Sequence, residues 1–463
     1  MSNLKIGLLP MYIKLYDDIW PEMREKTDTF VSTITNLFSQ RGVLVVKGDT
    51  CRIRSEFRKS VESFEKEKVD AIVTLHLAYS PSLESAEILA KTKLPIIVLD
   101  TTPAFDFSHE QNSSEVFFNH GIHGVQDMCN LLLRMGKPFL IEAGHYIESD
   151  VIDRAISDII ASRMSLKMRS QRVGRVGNPF VSMGDFDIPE DQSKELLGVE
   201  TVRFDPLLNS AIINSISDND IQEEITKDRQ RFITEGLDIT AHRRAVISGL
   251  ILRKWIEKES LTAVTVNFME IDKNSGFPCM PFLEASKGMS RGIGYAGEGD
   301  VLTAALTGAL MSVYDDVSFT EMFCPDWKNN SIFLSHMGEM NLNLAAEKPF
   351  LEETEFLFSD ADKPVIARGR FKEGPVIYIN IAPSVNNEFN LILAEGEMLA
   401  IEGEDNMKHT IHGWFKPKMA VQDFLEAFSS FGGTHHSALV YSNAVHNIAD
   451  FGRLMGWKII QLC

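Results

Sequence analysis

Residues 71–99 read AIVTLHLAYSPSLESAEILAKTKLPIIVL. Ala71 to Leu75 is a short apolar, β-branched run of the kind that forms a buried strand. Ser82 to Lys91 is a helical stretch, and Pro95 to Leu99 is a second apolar run. Two such strands separated by a helix of this length imply a parallel βαβ unit and a layered α/β sheet. The pattern continues on both sides. Upstream, Leu4 to Leu9 predicts a strand, Ile19 to Arg41 a helix, Val43 to Val46 a strand and Ser60 to Lys68 a charged helix. Downstream, Val125 to Met135 and Pro138 to Glu142 add another helix and strand.

Around Met168 to Pro189 the composition shifts to Gly, Arg, Asn and Pro, which predicts a boundary or a functional loop. Alternation then resumes. Asp220 to Glu235 and Ala241 to Glu257 predict helices, and Ala263 to Phe268 predicts a strand. After about Asp316 the texture changes to short β-rich runs between turn residues, such as Val365 to Phe371, Val376 to Ile381 and Asn390 to Ala400. These predict a largely antiparallel sheet or barrel. The expected fold is therefore α/β. Two layered, Rossmann-like α/β domains (1–168 and 169–315) are followed by a β-rich, barrel-like domain (316–463).

Bulk properties limit the function. At about 150 residues per domain, 463 residues are enough for three. A formal net charge of −19 argues against nucleic-acid or anionic-membrane partners, which need a basic surface. No stretch approaches the ~18 apolar residues of a membrane span, and no targeting segment is read at Met1 to Pro10. Five scattered cysteines without a CxxC pair suit reduced thiols, so a cytoplasmic location is expected.

Three segments carry chemistry. Gly292 to Asp300 reads GIGYAGEGD, followed by an apolar helix from Val301 to Met311. Its first six residues match G-x-G-x-x-G, but SKGMSR precedes them instead of a buried apolar strand, and no ribose-binding acid follows. The preferred reading is that glycines flank Glu298 because a metal or substrate approaches the backbone closely. The alternative is a plain glycine-rich turn before a helix. In Ser318 to Asn341, Glu321 sits among Thr, Phe and Met, where a carboxylate needs a partner or a cation. His336 there follows the apolar run Ile332 to Leu334, near the end of a predicted strand. In FGGTHHS, Phe431 to Ser437, two glycines precede a His pair. If this piece is extended, His435 and His436 point to opposite faces, and at most one binds a shared centre. Two carboxylates and two imidazoles without a thiolate suit Mn²⁺, Co²⁺, Fe²⁺ or Zn²⁺.

These segments resemble the L-arabinose isomerase family, within the L-arabinose/L-fucose isomerase group. GYAGEGDVLTAAL is similar to the family pattern G-[YF]-x-G-E-G-D-x-x-T-A-A-L, Ser318 to Glu321 to its S-F-M-E, LSHMGE to its G-S-H-M-x-E, and Gly432 to Ser437 to its G-G-A-H-H-T. NSISDND (214–220), the strand ending at Phe268 and LHLAYSP (75–81) are similar too. The resemblance implies a metal, Mn²⁺ or another divalent ion such as Co²⁺, held by Glu298, Glu321, His336 and His436. It implies proton transfer by Glu298 and Glu321 through an enediol between an aldose and a ketose. Substrate contacts are expected at His120, Tyr16, Phe268 and His435. The implied assembly is a homo-oligomer, a trimer or hexamer, in which His120 serves a neighbouring subunit's site. An expected small-molecule sugar is the partner.

One departure stands out. Family members carry G-S-Q-x-L-Y-G after the first strand, whereas this chain has Leu9-Pro10-Met11-Tyr12-Ile13-Lys14-Leu15-Tyr16, in which Tyr16 alone corresponds. The metal site is therefore expected to be kept while the distal sugar pocket differs, so that the substrate is not L-arabinose. A metal-dependent epimerase or decarboxylase on a sugar derivative, or a non-catalytic sugar-binding protein, is the competing expectation.

Overall fold

The computed structural model describes residues 4–463. The chain forms two compact units, one of residues 1–166 with 446–456 and one of residues 167–445 with 457–463.

The first unit is built on a five-stranded parallel sheet. Its strands are β1 (Lys5–Met11), β2 (Leu44–Lys47), β3 (Ala71–His76), β4 (Ile96–Asp100) and β5 (Leu140–Ala143), in the order β2-β1-β3-β4-β5. Side chains alternate across a strand, so each apolar run feeds two cores. Ile6, Leu8, Val73, Leu75, Ile97 and Leu99 enter one. Leu9, Met11, Ile72, Ile96 and Val98 enter the other. Helices Lys14–Ile19, Met23–Gln40, Arg54–Lys66, Ser82–Lys91, Val116–Asn119, Ile122–Arg134 and Val151–Met168 follow the strands. The helix expected over Ile19 to Arg41 is interrupted at the Trp20–Glu22 connection. Pro21 lacks the N–H an unbroken helix needs and disfavours helical geometry at Trp20.

The second unit opens with a four-stranded parallel sheet. It contains β6 (Arg172–Val176), β7 (Glu200–Arg203), β8 (Ala263–Val266) and β9 (Gly294–Gly297), in the order β7-β6-β8-β9. Both β6 and β9 correct the sequence reading. Met168 to Pro189 was expected to be irregular, yet β6 lies within it, its arginines neutralised by Glu200 on Arg172 and Glu190 on Arg175. The Gly292–Asp300 motif likewise contains a fully buried strand in which glycines replace the usual apolar residues.

A barrel follows, made from β10 (Val317–Asp326), β11 (Ser331–Ser335), β14 (Gly374–Pro383), β15 (Phe389–Met398), β16 (Gly413–Pro417) and β17 (His436–Val440). The ribbon β12 (Phe350–Glu353) with β13 (Val365–Arg368) lies between β11 and β14 in the chain. The order β14-β17-β10-β11-β16-β15 closes through β14–β15, so six antiparallel strands form a ring. The last strand, β18 (Lys458–Leu462), pairs parallel to β15 on the outside of that ring. The α/β class and the antiparallel barrel expected from the sequence are both present.

Candidate metal centre

Glu298 stands between β9 and the helix Val301–Leu310. Its amide donates to the Val266 carbonyl and its carbonyl accepts from Phe180 N–H. Its φ is +63°, a left-handed conformation that costs a non-glycine residue about 1–3 kcal/mol and persists where surroundings enforce it. Here those two backbone bonds enforce it. The glycines on either side have protein neighbours. A Cβ on Gly297 would lie 2.7 Å from the His336 ring, and one on Gly299 would lie 2.7 Å from the Asn178 carbonyl oxygen. The close approach inferred from the sequence is thus made by an imidazole and a carbonyl of this chain.

The barrel supplies the other groups. Glu321 in β10 stands opposite Ser335 of β11 on one side and His436 of β17 on the other. His336 follows β11 directly, so the ladder brings Glu321, His336 and His436 together. Their ligand atoms lie within 4.8 Å of one another. The carboxylate of Glu298 meets the same cluster, with Oε2 3.6 Å from His436 Nε2. Of the four residues expected to share a centre, three thus form one ligand group and Glu298 stands beside it through His436. Phe319 packs edge-on against His336 and His436, with centroids 4.8 and 5.0 Å away, and Phe186 stacks flat on His436.

Both buried imidazoles are held through Nδ1. His336 Nδ1 lies 2.7 Å from Glu339 Oε2, and His436 Nδ1 lies 3.0 Å from Asp300 Oδ2. Glu339 in turn accepts from the Tyr295 hydroxyl at 2.5 Å and from Gly338 N–H at 2.8 Å. Asp300 also caps the following helix, accepting from Thr303 N–H. A carboxylate on Nδ1 fixes the tautomer and turns Nε2 towards a cation. His436 Nε2 is buried and has no hydrogen-bond partner among the described residues. Leaving such an atom unpaired is costly, and a divalent ion coordinated by Nε2 would remove that cost. The donor set fits a transition metal.

The electrostatics differ between the two glutamates. Burial alone would push the Glu298 carboxyl up, but His435, His436 and His336 hold it below the usual range. Glu321 is raised, because burial outweighs the same histidines. His336 is raised: burial would lower it, and Glu339, together with Glu321 and Glu298, more than compensates.

His435 departs from the strand-alternation argument. The strand begins at His436, so His435 lies just outside the alternating ladder. Its Nε2 is 3.4 Å from Glu298 Oε2, and its ligand atom belongs to a second group, with Glu298 and His436, that could hold an ion. On its other side His435 Nδ1 and N–H both reach Asp185 Oδ2, at 2.7 and 2.9 Å. Phe268 is buried in the turn after β8, its ring against Phe180 and Phe358. Tyr16 and His120 belong to the first unit, where the Tyr16 hydroxyl lies 3.1 Å from His120 Nε2 and Trp20 and Phe117 pack around Tyr16. Asp185, Asp300, Glu339 and Tyr295 were not singled out from the sequence. Asp300 and Glu339 sit inside the quoted motifs GEGD and SHMGE, where carboxylates three residues or fewer from a ligand were the available signal.

Two family models match this half of the chain in tandem. One, described as the L-arabinose isomerase central domain, covers residues 181–316, and the other, the L-arabinose isomerase C-terminal domain, covers 316–458. The chain belongs to the L-arabinose isomerase family. The chain is 23% identical to L-arabinose isomerase 1 of Bacillus licheniformis over 87% of this chain and 82% of that one. Identity is 25% to the L-arabinose isomerase of Lactiplantibacillus plantarum, over 86% of each. It is 24% to that of Geobacillus kaustophilus, over 88% and 83%. These relatives are aldose–ketose isomerases by name, and the similar segments at 294–306, 318–321, 334–339 and 432–437 lie within the residues that the two models match.

Proposed function

We propose that this chain is a divalent-metal-dependent aldose–ketose isomerase, with the ion, Mn²⁺ or a relative such as Co²⁺, held by Glu298, Glu321, His336 and His436. One observation carries the reading: two triads that could hold an ion, Glu321 with His336 and His436 and Glu298 with His435 and His436, share His436, whose Nδ1 is anchored by Asp300 and whose Nε2 has no hydrogen-bond partner among the described residues. A bound divalent ion polarises the sugar carbonyl and stabilises negative charge on the neighbouring oxygens. The chain's own residues do the rest. One of Glu298 and Glu321 removes the proton from C2 of the open-chain aldose and returns it at C1. The other carries the hydroxyl proton from O2 to O1, which completes the ketose. Phe186 and Phe319 flank the histidines and limit water at the reacting carbons. Phe268 and His435 border the sugar, and Tyr16 with His120 serve the site of a neighbouring subunit in a cytoplasmic homo-oligomer. The domain organisation that goes with this reading is 1–168, 169–315 and 316–463.

The test is a screen of aldoses and ketoses by NMR, with the protein first stripped by chelator and then loaded with Mn²⁺. Interconversion of one aldose–ketose pair that needs the metal is the expected result. Epimerisation or release of CO₂ in place of isomerisation, or saturable sugar binding without turnover, would overturn the assignment.

L-arabinose itself is expected to be a poor substrate. Met11 is buried at the end of β1, and Met11 and Ile13 offer no side-chain hydrogen bond where the family places a glutamine. A pocket built on placed hydrogen-bond partners discriminates by leaving them unpaired with the wrong sugar, which is worth up to 10⁴-fold or more in order of magnitude. In the same screen another pentose, a hexose or a deoxy sugar should be converted at least about 10²-fold more efficiently, compared as kcat/KM.

A further inference from the structure

Three histidines border the two glutamates, and each is anchored in the same way. Nδ1 of His336 lies 2.7 Å from Glu339 Oε2, Nδ1 of His436 lies 3.0 Å from Asp300 Oδ2, and Nδ1 of His435 lies 2.7 Å from Asp185 Oδ2. A carboxylate on Nδ1 is the device that turns Nε2 of a metal-binding histidine towards its ion. For His435 the hold is doubled, because the same Asp185 oxygen also accepts from the His435 backbone N–H at 2.9 Å. The pose so fixed puts the His435 ring into a group with Glu298 and His436 whose ligand atoms lie within 4.8 Å of one another. Glu321, His336 and His436 form the other such group. Each group is one carboxylate with two imidazoles, a set that serves catalytic ions and leaves positions open.

Spacing separates a pair of ligands from a hydrogen bond. His435 Nε2 is 3.4 Å and His436 Nε2 is 3.6 Å from the same Glu298 oxygen, Oε2. A charge-assisted N–H···O bond draws in to about 2.7–2.9 Å, as His435 does on its Asp185 side. Two atoms each bound at about 2.1 Å to one ion stand roughly 3.0–3.4 Å apart on adjacent positions of a tetrahedral or octahedral shell. Glu298 Oε2 therefore keeps nearly the distance from both imidazoles that a shared ion needs. His436 is common to both groups. Its Nδ1 is taken by Asp300, and its Nε2 is buried without a hydrogen-bond partner among the described residues. That nitrogen has one lone pair, so it serves one ion at a time.

We propose that the pocket has two alternative seats for the ion, hinged on His436: the first on Glu321, His336 and His436, the second on Glu298, His435 and His436. The inference rests on the metal reading above and adds His435 to the metal-binding residues, with Asp185 as its positioning residue. The seats exclude each other because both use His436 Nε2. They also differ in surroundings. The His336 and His436 side chains are 2% and 0% exposed, whereas those of His435 and Asp185 are 30% and 38% exposed, so the second seat lies on the open side of the pocket. Asp185 belongs to the connection between β6 and the helix Glu190–Leu197, which thereby governs the second seat. With the ion there, Glu321 stands outside its ligands and keeps its carboxylate free, as a general base requires.

The test uses the full-length chain, stripped by chelator and loaded with Mn²⁺ alone. Elemental analysis gives the ions per chain, pulsed EPR counts the imidazoles bound to the ion, and calorimetry gives the affinity. Wild type should hold one ion with two imidazoles. His336→Ala removes the first seat, so it should still hold one ion with two imidazoles, about 10-fold to 100-fold more weakly. In that background His435→Ala should reduce the count to one and weaken binding about 10-fold or more again, and Asp185→Ala should weaken it likewise. In the otherwise wild-type chain His435→Ala should keep two imidazoles and change the affinity less than about threefold, the non-additivity expected of an alternative seat. A single imidazole in His336→Ala, two ions or three imidazoles in wild type, or a His336→Ala, His435→Ala double variant no weaker than His336→Ala would each overturn the proposal. His336→Gln, whose amide can donate to Glu339 as the ring does, is the check on folding. No Mn²⁺ on that variant, with circular dichroism unchanged from wild type, would also overturn the second seat. No Mn²⁺ binding by wild type would instead remove the metal reading on which the proposal depends.

Discussion

Glu298 and Glu321 are the residues on which the proposed chemistry turns, and they do not occupy equivalent positions. Glu298 sits in a left-handed backbone conformation fixed by two hydrogen bonds, at the junction of a strand and a buried helix. Glu321 sits in mid-barrel, its neighbours fixed by strand register. Both are proposed metal ligands, so alanine would mix loss of the ion with loss of the base. Glu298→Gln and Glu321→Gln keep the shape and one oxygen ligand. Each should lower kcat by about 10²-fold to 10⁴-fold, the usual share of general acid–base catalysis. The measurement is turnover at saturating Mn²⁺ with the sugar that the screen identifies, in deuterated solvent, with wild type alone incorporating deuterium at C1 or C2. Near-normal turnover in either variant would confine that glutamate to holding the ion. Glycine 297 offers a steric control nearby. Gly297→Ala places a Cβ against the His336 ring, which must move, so Mn²⁺ affinity should fall about 10-fold, as when a ligand's orientation is disturbed.

At the scale of elements, the helix Val151–Met168 buries Asp158, with Oδ2 lacking a partner among the described residues. Burial, and then Asp450 on the helix Val445–Met455, push its carboxyl up to about 8, against the opposing pull of Arg154 and Arg453. The sign of the linkage follows from that direction. Below the unfolded value near 4, both states hold the proton and Asp158 costs nothing. Between there and pH 8 the unfolded chain releases its proton while the folded chain keeps it, so stability falls as pH rises and levels off above 8. Asp158→Asn removes this penalty. It should stabilise the protein by on the order of 5 kcal/mol at pH 8 in urea unfolding, shrinking towards nothing as pH falls to 4. A gain that is equal at both pH values would show that the carboxyl is not held protonated. The sequence disclosed some elements and hid others for related reasons. Strands such as Ala71–His76 are mostly apolar and β-branched runs, visible because both faces are buried. Strand β6 carries two arginines, and β9 is half glycine, so neither has the apolar signature, and their strand character comes from neighbours far along the chain. The site divides the same way. Glu298, Glu321, His336 and the His435–His436 pair stand out in the sequence by their apolar or glycine-rich settings, and it is the family resemblance that joins Glu298, Glu321, His336 and His436 into one expected ligand set. Asp300 looks like an ordinary helix cap and Asp185 like an ordinary loop residue, and the histidines they hold lie more than a hundred positions away.

For the molecule as a whole, the proposed ligands all belong to the second compact unit, drawn from the β9–helix junction, β10, the end of β11 and the start of β17. The first unit contributes none of them. An ion that binds the native state and not the unfolded chain stabilises by RT ln(1 + [L]/Kd), about 2.7 kcal/mol at a concentration 100 times Kd. That free energy is felt where opening the structure breaks the ligand set. Local openings of the second unit that separate Glu298 from the barrel must release the ion, whereas openings of the five-stranded sheet in the first unit need not. Native-state hydrogen exchange on stripped and Mn²⁺-loaded protein should therefore show slower exchange at 294–300, 317–326, 331–336 and 434–440. Strands β1 and β3 to β5 should exchange at unchanged rates. Magnesium, which prefers oxygen ligands and octahedral geometry, should give a much smaller effect than Mn²⁺ or Co²⁺ at equal concentration, because half of this donor set is imidazole. Equal protection by Mg²⁺ would mean that the ion sits on carboxylates alone, away from His336 and His436. Protection spread evenly over both units would mean that the metal stabilises through something other than these four residues.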